Sequence, residues 1–194
     1  MKKLILLAAI AALSSVLVAD TLETKAKMRD AASRLDIGID EFTDFVNYHH
    51  VNFSYDSCQF IPCLVSDTQR SHVTYLIDAE YNGKDFVNMD GVIVLVGHRR
   101  FETTWDSTET SRKLFESGAW ENKELAPSDF DDTMIVSAIC DAPDDTVIKV
   151  RLNGSSRQDF VMSPAQRQAW KDVTYYYRNF EYRDPVAEKA RVKE

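Results

Sequence analysis

The segment Asp90-Gly-Val-Ile-Val-Leu-Val96 contains the most hydrophobic run of the chain after its first nineteen residues. The Asp-Gly pair is a turn signal, and the apolar residues that follow it are mostly β-branched, which favours a strand. A strand without polar alternation is typical of a central position in a sheet that is covered on both faces. This segment therefore predicts a middle strand, and we expect the neighbouring segments to pair with it.

Strand patterns continue on both sides of this segment. Residues 73–81 mix β-branched and aromatic side chains and stop at Asn82-Gly83, a second turn signal. Strands are also predicted at residues 100–105, 134–140, 146–152 and 159–162. Because helices do not alternate with these strands, a doubly wound parallel sheet is disfavoured. The pattern predicts an antiparallel sheet or sandwich with its strands between about residues 51 and 162.

Helical spacing precedes the strand region. Between residues 20 and 50, apolar residues recur at helical intervals and predict two helices, the second capped by Asp40. Phe42, Phe45 and Val46 would share one face of that second helix. Both helices would lie on the surface and pack through a single apolar stripe.

A C-terminal helix is predicted from residue 163 onwards. Ser163 supplies an N-cap and Pro164 suits the first helical position. The apolar stripe predicts that the sheet is faced by Ala169, Val173 and Phe180. This contact would be flanked by Trp170 and Tyr177, and the rings that point away from it would be Tyr175 and Tyr182. With a further short helix near residues 112–117, the predicted fold class is α+β, an antiparallel sheet or sandwich flanked by N-terminal helices and a C-terminal helix.

Residues 1–19 have the pattern of a cleavable signal peptide. Two lysines precede an uncharged apolar run, and Ala19 lies directly before the polar Asp20. The run is shorter than the roughly 20 residues that a membrane-spanning helix needs. We expect cleavage after Ala19, one globular domain over residues 20–183 and a charged tail over 184–194. The predicted location is the periplasm or the exterior, without membrane insertion.

The charge balance disfavours nucleic acid as a partner. The chain carries 31 acidic and 23 basic residues, and loss of residues 1–19 with their two lysines leaves a formal charge of −10. That much negative charge repels a phosphate backbone. With 44 % hydrophobic and 28 % charged residues, the composition is that of an ordinary globular chain rather than a disordered one.

The three cysteines allow more than one interpretation. Cys58-Gln-Phe-Ile-Pro-Cys63 can close a small disulfide loop in an oxidising compartment, which leaves Cys140 as a buried thiol at the end of an apolar run. Free thiols throughout are the second possibility. A metal site that also uses the nearby histidines 49, 50 and 72 is the third, although no second Cys or His pair has the expected spacing.

Motifs of known chemistry are absent from the sequence. There is no nucleophile elbow, phosphate-binding loop, metalloprotease helix or dinucleotide fingerprint, so we assign no catalytic residue, no metal ligand and no cofactor. The pair His49-His50 suits a predicted helix end, where the dipole favours histidine, and adjacent helical residues cannot converge on one ion. The acidic stretches 129–132 and 141–145 lack the spacing of a calcium loop and are interpreted as turns.

Two groups of side chains are candidates for partner contact. Arg99, Arg100 and Trp105 lie in an alternating stretch that offers guanidinium groups beside aromatic rings. The C-terminal helix carries more aromatic rings than one apolar stripe accommodates, and Tyr175 and Tyr182 are expected to remain exposed. The partner that such surfaces suggest is another protein.

Part of the chain resembles a family of exported proteins. The segments that carry the resemblance are Val92-Ile-Val-Leu-Val96, Trp105-Asp-Ser107, Lys113-Leu-Phe115, Met134-Ile-Val136 and Asp159-Phe-Val-Met-Ser163. Together they look like the TagO-like proteins associated with type VI secretion, over about residues 90–180. The chain departs from that family in lacking its paired cysteines and in its additional N-terminal helices. The resemblance implies an exported, β-rich accessory protein without catalysis.

The sequence therefore predicts an exported binding or accessory protein that acts through protein–protein contacts and is not an enzyme. The alternative is a periplasmic or secreted hydrolase whose site is assembled from scattered residues, drawing on His98 or the His49-His50 pair with nearby carboxylates.

Overall fold

The computed structural model describes residues 21–40, 45–52, 58–67, 69 and 72–183. The predicted signal peptide and the charged tail lie outside these ranges, so their predictions remain as stated. None of the described helices is both long and apolar enough to cross a membrane.

Two antiparallel sheets form the centre of the structure. The strands are β1 (Leu35–Asp40), β2 (Phe45–His50), β3 (Gln59–Asp67), β4 (Val73–Gly83), β5 (Gly91–Val96), β6 (Arg99–Thr104), β7 (Ser111–Phe115), β8 (Gly118–Leu125), β9 (Ile148–Asn153) and β10 (Arg157–Val161). Six of them pair in the order β1-β2-β3-β4-β8-β7, and the other four in the order β10-β9-β5-β6.

Three helices accompany the sheets. Residues 21–33 form α1, Ile135–Cys140 form α2 and Pro164–Arg178 form α3. The α+β class with antiparallel sheets, an N-terminal helix and a C-terminal helix is therefore confirmed. The N-cap of α3 is confirmed as well, since the Ser163 side chain accepts a hydrogen bond from the Gln166 backbone N–H.

The apolar run Val92–Val96 lies in a central strand, as predicted, but only one face of this strand is covered. Strand β5 lies between β9 and β6, and its Val92 and Val94 are fully buried. Ile93 is partly exposed, and Leu95 on the same face is 38 % exposed. An apolar face can therefore meet solvent when its cross-strand neighbours are charged, as they are for Ile93 and Leu95.

Helix α3 docks against the six-stranded sheet through Trp170. The indole ring is fully buried, stacks on Phe60 with 5.4 Å between ring centroids, and donates its N–H to the Phe60 carbonyl. Ala169 and Val173 are buried as predicted, and Phe180 is 9 % exposed. The prediction that Trp170 flanks the contact was wrong, because this ring occupies its centre.

Three predicted elements differ from the structure. Where the second N-terminal helix was predicted, the described residues form the paired strands β1 and β2, and Val46, Tyr48 and His50 alternate with more exposed residues at the two-residue period of a strand. Phe42, which was predicted on the same helix face, lies outside the described residues. The predicted helix near residues 112–117 is strand β7, paired with β8.

The third difference is the predicted strand over residues 134–140, which is helix α2. A seven-residue apolar run does not distinguish a strand from a short buried helix by periodicity. Contact with α3 decides the outcome, since the Cys140 thiol donates to the Trp170 carbonyl and to the Thr174 hydroxyl.

Candidate functional site

His49 and His50 lie on a strand, so their side chains point to opposite faces of the sheet. His50 is buried among structural contacts: its Nδ1 accepts the Asn52 backbone N–H, and its Nε2 lies 3.0 Å from a carboxylate oxygen of Asp172 on α3. Arg34 also binds that carboxylate. Burial raises the pKa of Asp172, but hydrogen bonds from Arg34 and His50 lower it to about 2 overall. This network fastens α3 to β2.

His49 points to the other face of the six-stranded sheet, which we call the outer face. Asn47 on β2 pairs with Val65 on β3, so His49 and Cys63, two positions further along each strand, share that face. Ile61 pairs with Asp78 of β4, which places Asp78 diagonally beside Cys63. Donor atoms of His49, Cys63 and Asp78 all lie within 4.8 Å of one another.

These three side chains line a cleft of about 460 Å³ on the outer face. The remaining lining residues are predominantly polar: Asn47, Val65, Glu109, Ser111, Trp120, Asn122, Lys123 and Glu124. Cys63 and Asp78 are each only 3 % exposed at the base of the cleft, whereas Glu124 lies at its exposed side. We refer to this feature as the outer-face cleft.

Burial makes the ionised forms of the acidic groups at this cleft unfavourable. It raises the pKa of Asp78, against the opposing effects of nearby His49 and of hydrogen bonds from Asn122 and Cys63. Burial likewise raises the pKa of the Cys63 thiol well above its usual value, and the neighbouring Asp78 adds to that shift. The pKa of Glu124 is raised by burial and by Asp78.

Glu80 extends this group beside the cleft. The residue is fully buried, and burial raises its pKa to about 7 even though Trp120 and Gln59 donate hydrogen bonds to its carboxylate. Asp78 adds to the shift by electrostatic repulsion. The outer face therefore concentrates carboxyl groups that are unstable as anions.

Basic groups near the cleft are engaged elsewhere. Lys123 forms an ion pair of 2.8 Å with Glu109, which the short 3-10 turn Ser107–Glu109 brings to the rim. The Lys113 ammonium lies 5.4 Å from the centre of the Trp120 ring. Among the ion pairs of the described residues, none reaches Asp78 or Glu124.

The three cysteines are free thiols in the structure, so the predicted disulfide between Cys58 and Cys63 was wrong. Cys58 immediately precedes β3 and packs against the hydrophobic core, whereas Cys63 faces the outer cleft. Five residues of extended chain separate their Cα atoms by roughly 16 Å. A disulfide needs a Cα separation below about 7 Å, so this strand excludes the bond.

The residues predicted for partner contact lie away from the outer-face cleft, because none of them is among the residues that line it. Arg99 and Arg100 begin β6, and each pairs with a carboxylate, Asp132 and Glu102 respectively. Trp105 is partly buried and donates its indole N–H to the Thr110 hydroxyl.

The two tyrosines predicted to be exposed differ from each other. Tyr182 is 41 % exposed, as expected, but Tyr175 is partly buried against the core. The sequence also missed Tyr176, which is buried and packs on Tyr48 with 5.8 Å between ring centroids.

The acidic stretches serve as turns. Asp129 accepts the Ala126 backbone N–H, Asp131 accepts that of Glu102, and Asp132 accepts that of Met134. The hydrogen bonds of Asp129 and Asp132 are local and accord with the turn interpretation of this segment, whereas that of Asp131 ties the segment to β6.

Comparison with family models, with curated proteins and with solved structures gave no match to this chain. The resemblance to TagO-like proteins therefore stays a prediction, and the site is argued from its own chemistry.

His49 and Cys63 were considered from the sequence only within a metal-site alternative that was not adopted, and Asp78 was not considered. The missed signal was the stretch Leu76-Ile-Asp-Ala-Glu80 inside a predicted strand. With Tyr75 and Ile77 on the core side, the alternate positions of that strand put two carboxyl groups on the other face.

Proposed function

We propose that this protein is a binding protein and that its outer-face cleft holds a cationic ligand. The observation that carries the proposal is the burial of Asp78 and Cys63 at the base of an open cleft, with Glu124 above them and no lysine or arginine ion-paired to either carboxylate among the described residues. Buried titratable groups with shifted pKa values in a cleft are typical of functional sites.

The energetic reason is the cost of burying carboxylates without a counter-ion. An ionised group loses hydration when it is buried, and neighbouring carboxylates repel one another. The raised pKa values of Asp78, Glu80 and Glu124 express that cost. A bound cation would offset it and would stabilise the folded state, because it binds the folded chain and not the unfolded one.

The signal-peptide pattern and the absence of catalytic motifs support an exported, non-enzymatic role. The hydrolase alternative draws less support, because His50 is engaged by Asp172 and Asn52 in a network on the core side of the sheet. His98 lies in the turn between β5 and β6, away from the residues that line the outer-face cleft.

A thermal-shift panel tests the proposal. The melting temperature of the purified protein is measured with Zn²⁺, Ca²⁺, Mg²⁺ or spermidine. The same measurements are made on the variant Asp78→Asn and on the matched control Asp85→Asn, which changes an exposed position. A ligand at about 100 times its Kd adds about 2.7 kcal/mol, which is roughly 5–10 °C in Tm for a chain of this size. We expect at least one cation to give this rise in the wild type and in Asp85→Asn but not in Asp78→Asn. An equal response in all three proteins, or no response to any cation, would contradict the proposal.

A second candidate function, contact with another protein, is favoured by the solvent-facing side of the four-stranded sheet. Ile93, Leu95 and Val161 line a groove of about 410 Å³ there, together with basic residues that include Arg100 and Lys149. Apolar floors with arginine at the margin are common in protein interfaces.

The test of this second candidate is the substitution Leu95→Asp beside Thr104→Asp, which adds the same charge at another exposed position of that sheet. A partner that co-purifies with the wild type should be lost from Leu95→Asp and retained by Thr104→Asp. Retention by both variants would remove this candidate.

A further inference from the structure

The donor atoms at the base of the outer-face cleft differ in kind. His49 offers an imidazole nitrogen, Cys63 a thiol sulfur and Asp78 a carboxylate oxygen, and all lie within 4.8 Å of one another. They come from three adjacent strands, β2, β3 and β4, so the sheet fixes their relative positions. A general cation site needs only negative charge, whereas this arrangement combines nitrogen, sulfur and oxygen around one point.

We propose that His49, Cys63 and Asp78 are the protein ligands of a borderline-soft divalent metal ion, and that this ion is Zn²⁺. The proposal rests on the function proposed above and names the class of cation that the cleft takes. Tetrahedral zinc sites are built from these three donor types, and a site with three protein ligands keeps a fourth position open.

Ligand softness separates this class of ion from the hard cations. Ca²⁺ takes six to eight oxygen ligands, and Mg²⁺ requires near-octahedral oxygen coordination. A thiolate and an imidazole suit neither ion, but they suit zinc and its neighbours in the first transition row. On binding, the Cys63 sulfur releases its proton to solvent and bonds the metal. One thiolate and one carboxylate then balance the charge of a divalent ion beside a neutral imidazole.

The supporting contacts fit a ligand role for Asp78. The Asn122 side-chain amide donates to Asp78 Oδ1 at 3.2 Å and orients the carboxylate, as outer-shell partners of metal ligands do. The other two thiols are placed differently, since Cys58 donates to the Asn82 carbonyl and Cys140 to residues of α3. Cys63 is the thiol that the fold directs into the cleft.

The fourth coordination position would face the cleft. In the described part of the chain, no further histidine, cysteine or carboxylate joins the three donors within the same distance. Water or a ligand that enters through the cleft would therefore complete the tetrahedron.

Titration with Co²⁺, a spectroscopic substitute for Zn²⁺, tests the assignment in the purified full chain. We expect a sulfur-to-cobalt charge-transfer band that Zn²⁺ abolishes by displacement. Cys63→Ser should remove the band, and His49→Ala should weaken Zn²⁺ binding by more than about 100-fold, because even outer-shell partners are worth 10–100-fold. The matched controls Cys58→Ser and His72→Ala should bind as the wild type does.

A third variant covers the case in which Cys63→Ser fails to fold. Cys58→Ser combined with Cys140→Ala leaves Cys63 as the one thiol of the chain, and this protein should keep the charge-transfer band. Loss of the band from this variant, when its far-UV circular dichroism matches the wild type, would overturn the assignment.

The outcomes separate this inference from the proposed function. If Ca²⁺, Mg²⁺ or spermidine stabilises the protein through Asp78 while Zn²⁺ and Co²⁺ do not bind, the metal assignment fails and the cation-binding function survives. If no cation binds, both fail. If Zn²⁺ binds equally well to Cys63→Ser and His49→Ala, the metal lies elsewhere and the ligand assignment is wrong.

Discussion

Substitution of Arg167 tests how much the contact between α3 and the loop after α2 contributes to stability. Its side chain is 9 % exposed and donates to four backbone carbonyls in the loop after α2, at 2.7–3.2 Å. The acceptors are the carbonyls of Ala142, Pro143, Asp144 and Thr146. A single guanidinium group thereby fixes the path of the chain between α2 and β9.

The substitution Arg167→Met keeps the length of the side chain and removes all four hydrogen bonds. Hydrogen bonds to a charged group contribute about 1.5–3 kcal/mol each, but these four share one donor group and water can reach part of the exposed loop. We therefore expect a loss of about 3–4 kcal/mol in the free energy of unfolding. For a chain of this size that corresponds to a fall of roughly 6–15 °C in Tm.

Urea denaturation followed by circular dichroism measures this loss, with Arg157→Met as the control. Arg157 is exposed on β10, and its substitution should change stability by no more than about 0.5 kcal/mol. Arg167→Lys should fall between the two, because an ammonium group keeps the charge but cannot reach four carbonyls. If Arg167→Met and Arg157→Met unfold within about 0.5 kcal/mol of each other, water replaces the guanidinium without loss and the reasoning is refuted.

Three other predictions concern pH, the aromatic residues of the C-terminal region and the N-terminus. Glu80 has a folded-state pKa of about 7 against an ordinary value of 4.5, so the folded state binds the extra proton and stability falls as pH rises between these values. Glu80→Gln should flatten that fall by about 2–3 kcal/mol between pH 4.5 and 8, measured as urea midpoints; an unchanged slope would contradict the shift. Phe180→Ala should destabilise the protein by about 3–5 kcal/mol and Tyr182→Ser by about 0.5 kcal/mol, and equal losses in thermal melts would show that both rings belong to the core. Protein recovered from its host should begin at Asp20, and intact-mass analysis that finds Met1 retained on exported material would disprove cleavage.

The elements predicted correctly are those with strong local signals. The strand Gly91–Val96 contains the apolar, mostly β-branched run Val92–Val96, and α3 begins at a Ser-Pro pair whose capping geometry is set by residues close in sequence. At Gly154, between β9 and β10, the close approach of another segment requires glycine, because a Cβ atom there would lie 2.4 Å from the Val87 carbonyl oxygen. Short-range steric and hydrogen-bonding rules suffice for features of this kind.

The predictions that failed concern segments whose local pattern permits two structures. Residues 135–140 are apolar enough for a strand or a buried helix, and contact with α3 selects the helix. The strand pair β1 and β2 has apolar residues that fit a helical stripe as well as strand alternation. Pairing with β3 decides between them, because backbone groups of a sheet must find partners on neighbouring strands.

By itself, the sequence determined the antiparallel α+β class, the central strand β5 and the cap of α3. Only the tertiary structure decided that His49, Cys63 and Asp78 meet at one cleft while His50 turns to the core. The physical reason is that strand register, a property of long-range pairing, determines which side chains become neighbours. Cys63 follows His49 by 14 positions and precedes Asp78 by 15, and two strand registers bring their donor atoms within 4.8 Å of one another. No periodicity within a single segment contains that information.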